Sequence, residues 1–177
     1  ASRCPPVSAL SAWSSRACIR VSGHNASASG RRSTTSSTSS SWGGFKSKTT
    51  TTDHQVTDKT AVVTGGGSGI GQAIADELAS CGATVIGTAT SESGANAISE
   101  RLRTHKGVGK VLNVTQGAAC EAMIEDIVKQ FGRIDILVNN AGITKDQLAM
   151  RMKDDEWSDV ISTNLSSVFK LSQAVLR

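Results

Sequence analysis

Tyrosine is absent from the 177-residue sequence, and aromatic residues make up only 3% of it. No phenol is therefore available in this chain as a proton donor. No stretch of roughly 18 apolar residues exists either, which excludes a membrane-spanning helix. None of the cysteines, at positions 4, 18, 81 and 120, stands in a Cys-x-x-Cys pair, and His24, His54 and His105 lie at no ligand spacing to them. No metal site is expected. Cys81 and Cys120 fall in or beside helical patterns and read as buried free thiols. Acid is missing from residues 1–52, which carry seven Lys/Arg and 22 Ser/Thr. The remainder carries 12 Lys/Arg and 15 Asp/Glu, so the net charge of +4 hides a basic head and an acidic body. A uniformly basic nucleic-acid-binding domain is excluded on that ground.

Two regions follow from this asymmetry. A segment as polar as 1–52 cannot bury enough apolar surface to offset its chain entropy, and it is expected to be a disordered tail. Being Arg-bearing, Ser-rich and acid-free, it fits a mitochondrial or plastid transit peptide. A plain low-complexity tail on a cytoplasmic chain is the other reading. The sequence opens on Ala1 rather than Met, so its true start is expected to lie upstream.

From residue 53 the texture is that of a folded unit. Ala61-Val62-Val63-Thr64 reads as a buried strand, and a glycine-rich turn from Gly65 to Gly71 follows it. Ile70, Ile74 and Leu78 recur at helical spacing, and Gly82 stops that helix. Residues 84–88 form a second strand, 94–105 a helix and 108–114 a third strand. Residues 117–131 are an amphipathic helix with Met123, Ile124, Ile127, Val128 and Phe131 inward. Ile134 to Val138 is a fourth strand, and a long helix marked by Trp157, Val160, Ile161, Leu165, Val168, Phe169 and Val175 runs to the end. Strict βαβαβαβα alternation with continuously apolar strands predicts an α/β fold, a parallel sheet covered on both faces. Four strands make the N-terminal part of a Rossmann doubly wound sheet, expected to be incomplete.

The glycine turn lies between a strand and a helix, where a phosphate site needs it. Amides at a helix start are unpaired and carry the positive end of its dipole. The spacing, Gly65-x-x-x-Gly69-x-Gly71, does not match G-x-G-x-x-G, and no lysine follows as a Walker loop requires. Thr64-Gly65-x-x-x-Gly69-Ile70-Gly71, followed after the fourth strand by Asn139-Asn140-Ala141-Gly142, resembles the short-chain dehydrogenase/reductase family. The resemblance is strongest to its 3-oxoacyl-acyl-carrier-protein reductases, through Gly82 to Glu92, Asp135 to Thr144, Met150 to Lys153 and Asn164 to Phe169. It covers about residues 58–177.

The resemblance implies roles. Gly65, Ser68, Gly69, Ile70 and Gly71 would hold the cofactor's pyrophosphate. Asn113 and Val114 would lie beside its adenine, and Asn140 and Gly142 near the nicotinamide-side ribose. Asn164 would hold a water in the proton relay and is the catalytic candidate. An Asp or Glu that binds the ribose 2′-OH of NAD is expected at the end of the second strand, but here the chain reads Thr88-Ala89-Thr90-Ser91. Hydroxyls donate to a 2′-phosphate where a carboxylate repels it, so NADP is expected, with Thr90 contacting that phosphate. Ser68 departs from the arginine found there in many NADPH users, losing a bidentate contact.

The implied activity is NADPH-dependent reduction of 3-oxoacyl-acyl-carrier-protein in fatty acid biosynthesis. The implied partners are acyl carrier protein and identical subunits in a homotetramer. The family's catalytic Ser and Tyr-x-x-x-Lys have no counterpart, so the chain reads as a fragment, expected to be inactive. It is also expected to be poorly soluble, because its fourth strand would be an unpaired apolar edge. Other reductases of the family, acting on acetoacetyl-CoA, steroids or sugar alcohols, and a non-catalytic dinucleotide-binding module remain alternatives.

Overall fold

The structure is a computed structural model that describes residues 18–20 and 56–177. Five strands form one sheet: β1 (Cys18–Arg20), β2 (Thr60–Val63), β3 (Thr84–Ala89), β4 (Val108–Val111) and β5 (Ile136–Val138), in the order β1-β5-β2-β3-β4. β2 pairs in parallel with β3 and β5, and β3 in parallel with β4. The helices are α1 (Gly69–Ser80), α2 (Glu92–Leu102), α3 (Gly117–Phe131), α4 (Asp154–Ile161) and α5 (Ser167–Leu176). This is the predicted Rossmann-like α/β alternation, with its central strands buried between two layers.

Period-two alternation sorts the strand residues between those layers. Ala61, Val63, Val85 and Val138 point to one face, where Ala75, Leu78, Ala79, Ile98 and Leu102 of α1 and α2 cover them. Val62, Ile86 and Leu137 point to the other, where Cys120, Met123, Ile124 and Ile127 of α3 and Leu171 of α5 close the core. The predicted inward face of α1 is corrected. Gly71, Ala75, Leu78 and Ala79 are buried, whereas Ile70 is exposed. Small residues let α1 lie close against the sheet, and this moves the contact stripe by one position. In α3, Val128 likewise faces solvent rather than the core.

Boundaries shift where tertiary contacts override pattern. β4 ends at Val111, although Leu112 and Val114 beyond it stay buried. α2 ends at Leu102 in a 3₁₀ turn, Arg103–His105. The single long C-terminal helix is interrupted by a π-helical turn, Ser162–Ser166. Gly82 does terminate the α1 region, at φ +88°.

One expectation about the edges is overturned. Cys18–Arg20 pairs antiparallel with β5, Cys18 opposite Val138 and Arg20 opposite Ile136. β5 is therefore not an open edge. A short extended segment satisfies the row of amides and carbonyls that an edge would leave bare. The rest of 1–52, with its transit-peptide reading, lies outside the described residues. The free-thiol reading holds for buried Cys120, whose thiol burial pushes up in pKa. It fails for Cys81, which is disulfide-bonded. Cys81 stands at the half-buried C-terminal cap of α1.

The β2–β5 register is locked by Asp135. Its backbone amide donates to Thr60 O at 2.9 Å, and the Thr60 amide donates back to its Oδ2 at 3.0 Å. Lys59 lies 3.6 Å from the carboxylate, and Arg133 pairs with it directly. Burial pushes the Asp135 carboxyl up, but the Thr60 amide, Arg133 and Lys59 outweigh it and hold the group below the usual carboxylate range. Among the described residues, no helix is long and apolar enough to cross a membrane.

Candidate functional site

The strand order switches at β2, with β3 and β4 on one side and the parallel β5 on the other, and the C-terminal ends of β2 and β5 open side by side. In a doubly wound sheet, ligands bind in the crevice at such a point. Buried Thr64 joins the two ends. Its amide donates to Val138 O at 3.0 Å, and its hydroxyl donates to the same carbonyl at 3.2 Å. That hydroxyl also accepts from the amides of Asn140 (2.9 Å) and Ala141 (3.0 Å). Asn140 Nδ2 in turn donates to Thr64 O (3.0 Å) and Gly65 O (3.2 Å). Asn140 thus braces the glycine turn from the β5 side, a tie that the sequence reading did not include. Gly142 follows it, exposed. Asn139 is buried, and its Oδ1 has no hydrogen-bond partner among the described residues.

The turn itself needs glycine for two separate reasons. Gly65 and Gly69 sit at φ +66° and +55°, a region that L side chains adopt at a cost of about 1–2 kcal/mol. At Gly71 the reason is space: a Cβ there would run into the Gly65 carbonyl and the Asn140 side-chain amide. Ser68 is the N-cap of α1, yet its side chain makes no capping bond, and the first turn contains no acid. The opening amides of α1 are left for an external acceptor. This uncapped, acid-free helix start behind a glycine cradle fits the pyrophosphate of a dinucleotide.

The flank at the end of β3 is more selective than its sequence suggested. Thr88 is buried, and its hydroxyl accepts from the Gly65 amide at 3.3 Å. Ser91 caps α2, accepting from the Gly94 amide at 3.2 Å. Of the three hydroxyls in 88–91, only that of exposed Thr90 has no partner among the described residues. Asn113 is exposed two residues beyond β4, and its Oδ1 accepts from the Thr115 amide and hydroxyl at 3.1 and 2.8 Å. The Val114 side chain belongs to the core, so only its backbone faces the crevice side.

Asn164 lies in the π-helical turn, with both atoms of its amide bonded to one peptide group. Ile143 N donates to its Oδ1 at 2.9 Å, and its Nδ2 donates to Ile143 O at 2.8 Å. The side chain pins the loop after β5 to the helix and, being exposed, keeps one N–H and one oxygen lone pair beyond these two bonds. Among the described residues, no group of three or more His, Cys, Asp or Glu could hold a metal. Sequence reasoning missed Thr64 and Thr88 as anchors, although Thr64 stood in the quoted motif. It also missed Arg101, whose guanidinium reaches the turn. Threonine at a strand end gives a weak signal, and an arginine 35 residues away gives none.

Residues 59–177 match the short chain dehydrogenase family. The chain is 62% identical over 119 residues to the 3-oxoacyl-acyl-carrier-protein reductase FabG of Escherichia coli (strain K12), covering 67% of this chain and 48% of that protein. For the protein of the same name from Haemophilus influenzae the identity is 62% over 119 residues, covering 67% and 49%. For that from Pseudomonas aeruginosa it is 55% over 121 residues, with the same coverage. A crystal structure of a protein assigned as a short-chain alcohol dehydrogenase from Sinorhizobium meliloti 1021 superposes with a TM-score of 0.64 at 32% identity, over 67% of this chain and 48% of that one. The chain spans about half the length of these relatives.

Proposed function

The chain belongs to the short-chain dehydrogenase family, and from that premise we propose that it serves the NADPH-dependent reduction of 3-oxoacyl groups carried on acyl carrier protein. The reaction and the carrier come from the names of relatives at 55–62% identity. The observation that carries the cofactor half is the uncapped start of α1 behind a turn in which Gly71 has no room for a Cβ. Domain organisation follows the same reading, with a dinucleotide-binding unit over residues 53–177 and a tail before it.

Each residue has a part in this reading. Gly65, Ser68, Gly69, Ile70 and Gly71 would surround the pyrophosphate with backbone donors. Thr90, exposed and unpartnered among the described residues, would donate to a 2′-phosphate. Asn113 and the Val114 backbone would border the adenine, and Asn140 and Gly142 the nicotinamide-side ribose. Nicotinamide dinucleotide, when bound, supplies the hydride for carbonyl reduction. Asn164 would act by positioning the loop at Ile143. Its remaining N–H and oxygen lone pair would hold the water of the proton relay. With no tyrosine in the sequence, this chain supplies no phenol to protonate the carbonyl oxygen, and by itself it would not turn over.

Assembly as a homotetramer is part of the proposal. Trp157, Leu165, Phe169 and Leu176 leave an apolar surface exposed along α4 and α5. Such faces are commonly buried against an identical copy.

The proposal is tested by fluorescence titration of the 177-residue chain with NADPH and NADH, and by NADPH oxidation with an acetoacetyl thioester. Tighter NADPH binding, shifted toward NADH by Thr90→Asp, is the expected result. Equal or better NADH binding by the unmutated chain refutes the NADP assignment. Turnover above a heat-killed control refutes the inactivity of the isolated chain.

A further inference from the structure

Arg101 stands in the last turn of α2, distant in sequence from the glycine turn, and its guanidinium makes two contacts there. Nη2 donates to the Gly66 carbonyl at 2.8 Å, and Nε donates to Asp76 Oδ1 of α1, also at 2.8 Å. The Arg101 side chain is 24% exposed and that of Asp76 43%. An ion pair this open to solvent adds little stability. The bond to a backbone carbonyl is different, being charge-assisted and aimed at one peptide of the turn.

That peptide neighbourhood is held from several sides. The Gly66 amide donates to Thr88 O at 3.0 Å, while the Gly66 carbonyl accepts from Arg101. The two preceding carbonyls, of Thr64 and Gly65, accept from Asn140. All three carbonyls are therefore occupied by protein donors. Because a peptide is planar, fixing the Gly66 carbonyl also fixes the direction of the Gly67 amide that follows it. Glycine is otherwise the residue with the most backbone freedom to lose, and Gly65, Gly66 and Gly67 stand in a row here.

We infer that Arg101 is a positioning residue for the dinucleotide's pyrophosphate, acting through the Gly66 peptide without touching the ligand. This rests on the dinucleotide reading above. Pyrophosphate is common to NADPH and NADH, so loss of Arg101 weakens both by the same factor. A ligand with no phosphate on the 5′-oxygen is unaffected.

The test uses the full chain with Arg101→Met, which keeps the apolar stem of the side chain, and Asp76→Asn, which removes the ion pair but leaves the guanidinium on Gly66. Affinities for NADPH, NADH and adenosine 2′-monophosphate, which lacks the 5′-phosphate, are measured by titration, with thermal unfolding alongside. Arg101→Met is expected to weaken both dinucleotides equally, by about tenfold, the equivalent of one charge-assisted bond. It should leave adenosine 2′-monophosphate within about twofold, and Asp76→Asn should leave all three within about twofold, a smaller change than the tenfold step above. A loss confined to NADPH and adenosine 2′-monophosphate overturns the inference, because Arg101 would then contact the 2′-phosphate itself. Equal losses in Arg101→Met and Asp76→Asn overturn it in favour of helix packing. Unchanged affinities in Arg101→Met overturn it while leaving the dinucleotide reading intact. Failure of the unmutated chain to bind either dinucleotide overturns both.

Discussion

On the β2–β3–β4 side of the sheet, α1 and α2 bury Ala75, Leu78, Ala79, Ile98 and Leu102, and the largest apolar residue they leave exposed is Ile70 at the glycine turn. On the β5 side, α4 and α5 contribute one fully buried large residue, Leu171, while Leu165 and Phe169 are 63% and 67% exposed. The loop between β5 and α4 adds exposed Leu148 and Met150. The first side is self-sufficient and ends in the glycine turn proposed to hold the pyrophosphate. The second presents apolar surface of the kind that another polypeptide covers. A dinucleotide fold can complete its phosphate site locally, because backbone amides and glycines do the work. Its remaining surface depends on what packs there.

The sharpest break of this comparison is at Gly71. Overpacking a close contact costs about 1–3 kcal/mol where neighbours can yield, and at Gly71 the obstacle includes the backbone carbonyl of Gly65. Gly71→Val is expected to abolish NADPH binding in a titration, with a lowered unfolding temperature. Binding within twofold of the unmutated chain would remove the cradle from the account.

Leu171→Ala comes next, at about 2–5 kcal/mol of destabilisation in a urea titration, as for other fully buried leucines. A loss under 1 kcal/mol, the size expected away from a core, would mean that α5 is not anchored to the sheet.

Asp135→Ala leaves the buried Thr60 amide without its acceptor and should cost about 1–3 kcal/mol. Its folded carboxyl pKa lies below the unfolded value of about 3.9. The stabilisation is therefore full above that value and is lost as pH falls through the folded pKa. The gap in urea midpoint between the two proteins should stay constant from neutral pH to about 5 and close below about 4. A gap that widens on acidification would contradict the assignment.

The smallest effect on stability is expected on the other side. Leu165→Ser and Phe169→Ser should change it by no more than about 0.5 kcal/mol in a dilute monomer. Light scattering should nonetheless show a smaller assembly. An unchanged assembly size, or a destabilisation above 2 kcal/mol, well beyond that surface range, would mean that these side chains do not serve a subunit contact.

Legibility in the sequence followed the same division. Ala61-Val62-Val63 between turn signals, the glycine series from 65 to 71 and the amphipathic run 117–131 are local patterns. Each of them appears in the structure as strand, turn and helix. The exposure of Ile70 was not legible, because which stripe of α1 faces inward depends on how closely small residues let it approach the sheet. Nor was the π turn at Ser162–Ser166, where Asn164 fastens to Ile143 across the loop. Thr88 looked like a ligand hydroxyl and became an internal one, since Gly65 lies one strand away and its amide needs an acceptor.

By itself the sequence determined the alternation of strands and helices, the place of the glycine turn and the lack of tyrosine, all of them set by residues near one another or by composition. Only the tertiary structure decided which hydroxyl stays available at the end of β3, which carbonyls of the turn are held and by whom, and that Cys18–Arg20 covers the edge of β5. Hydrogen-bond partners at a distance are chosen by packing, because a buried donor accepts whichever acceptor the fold brings within reach.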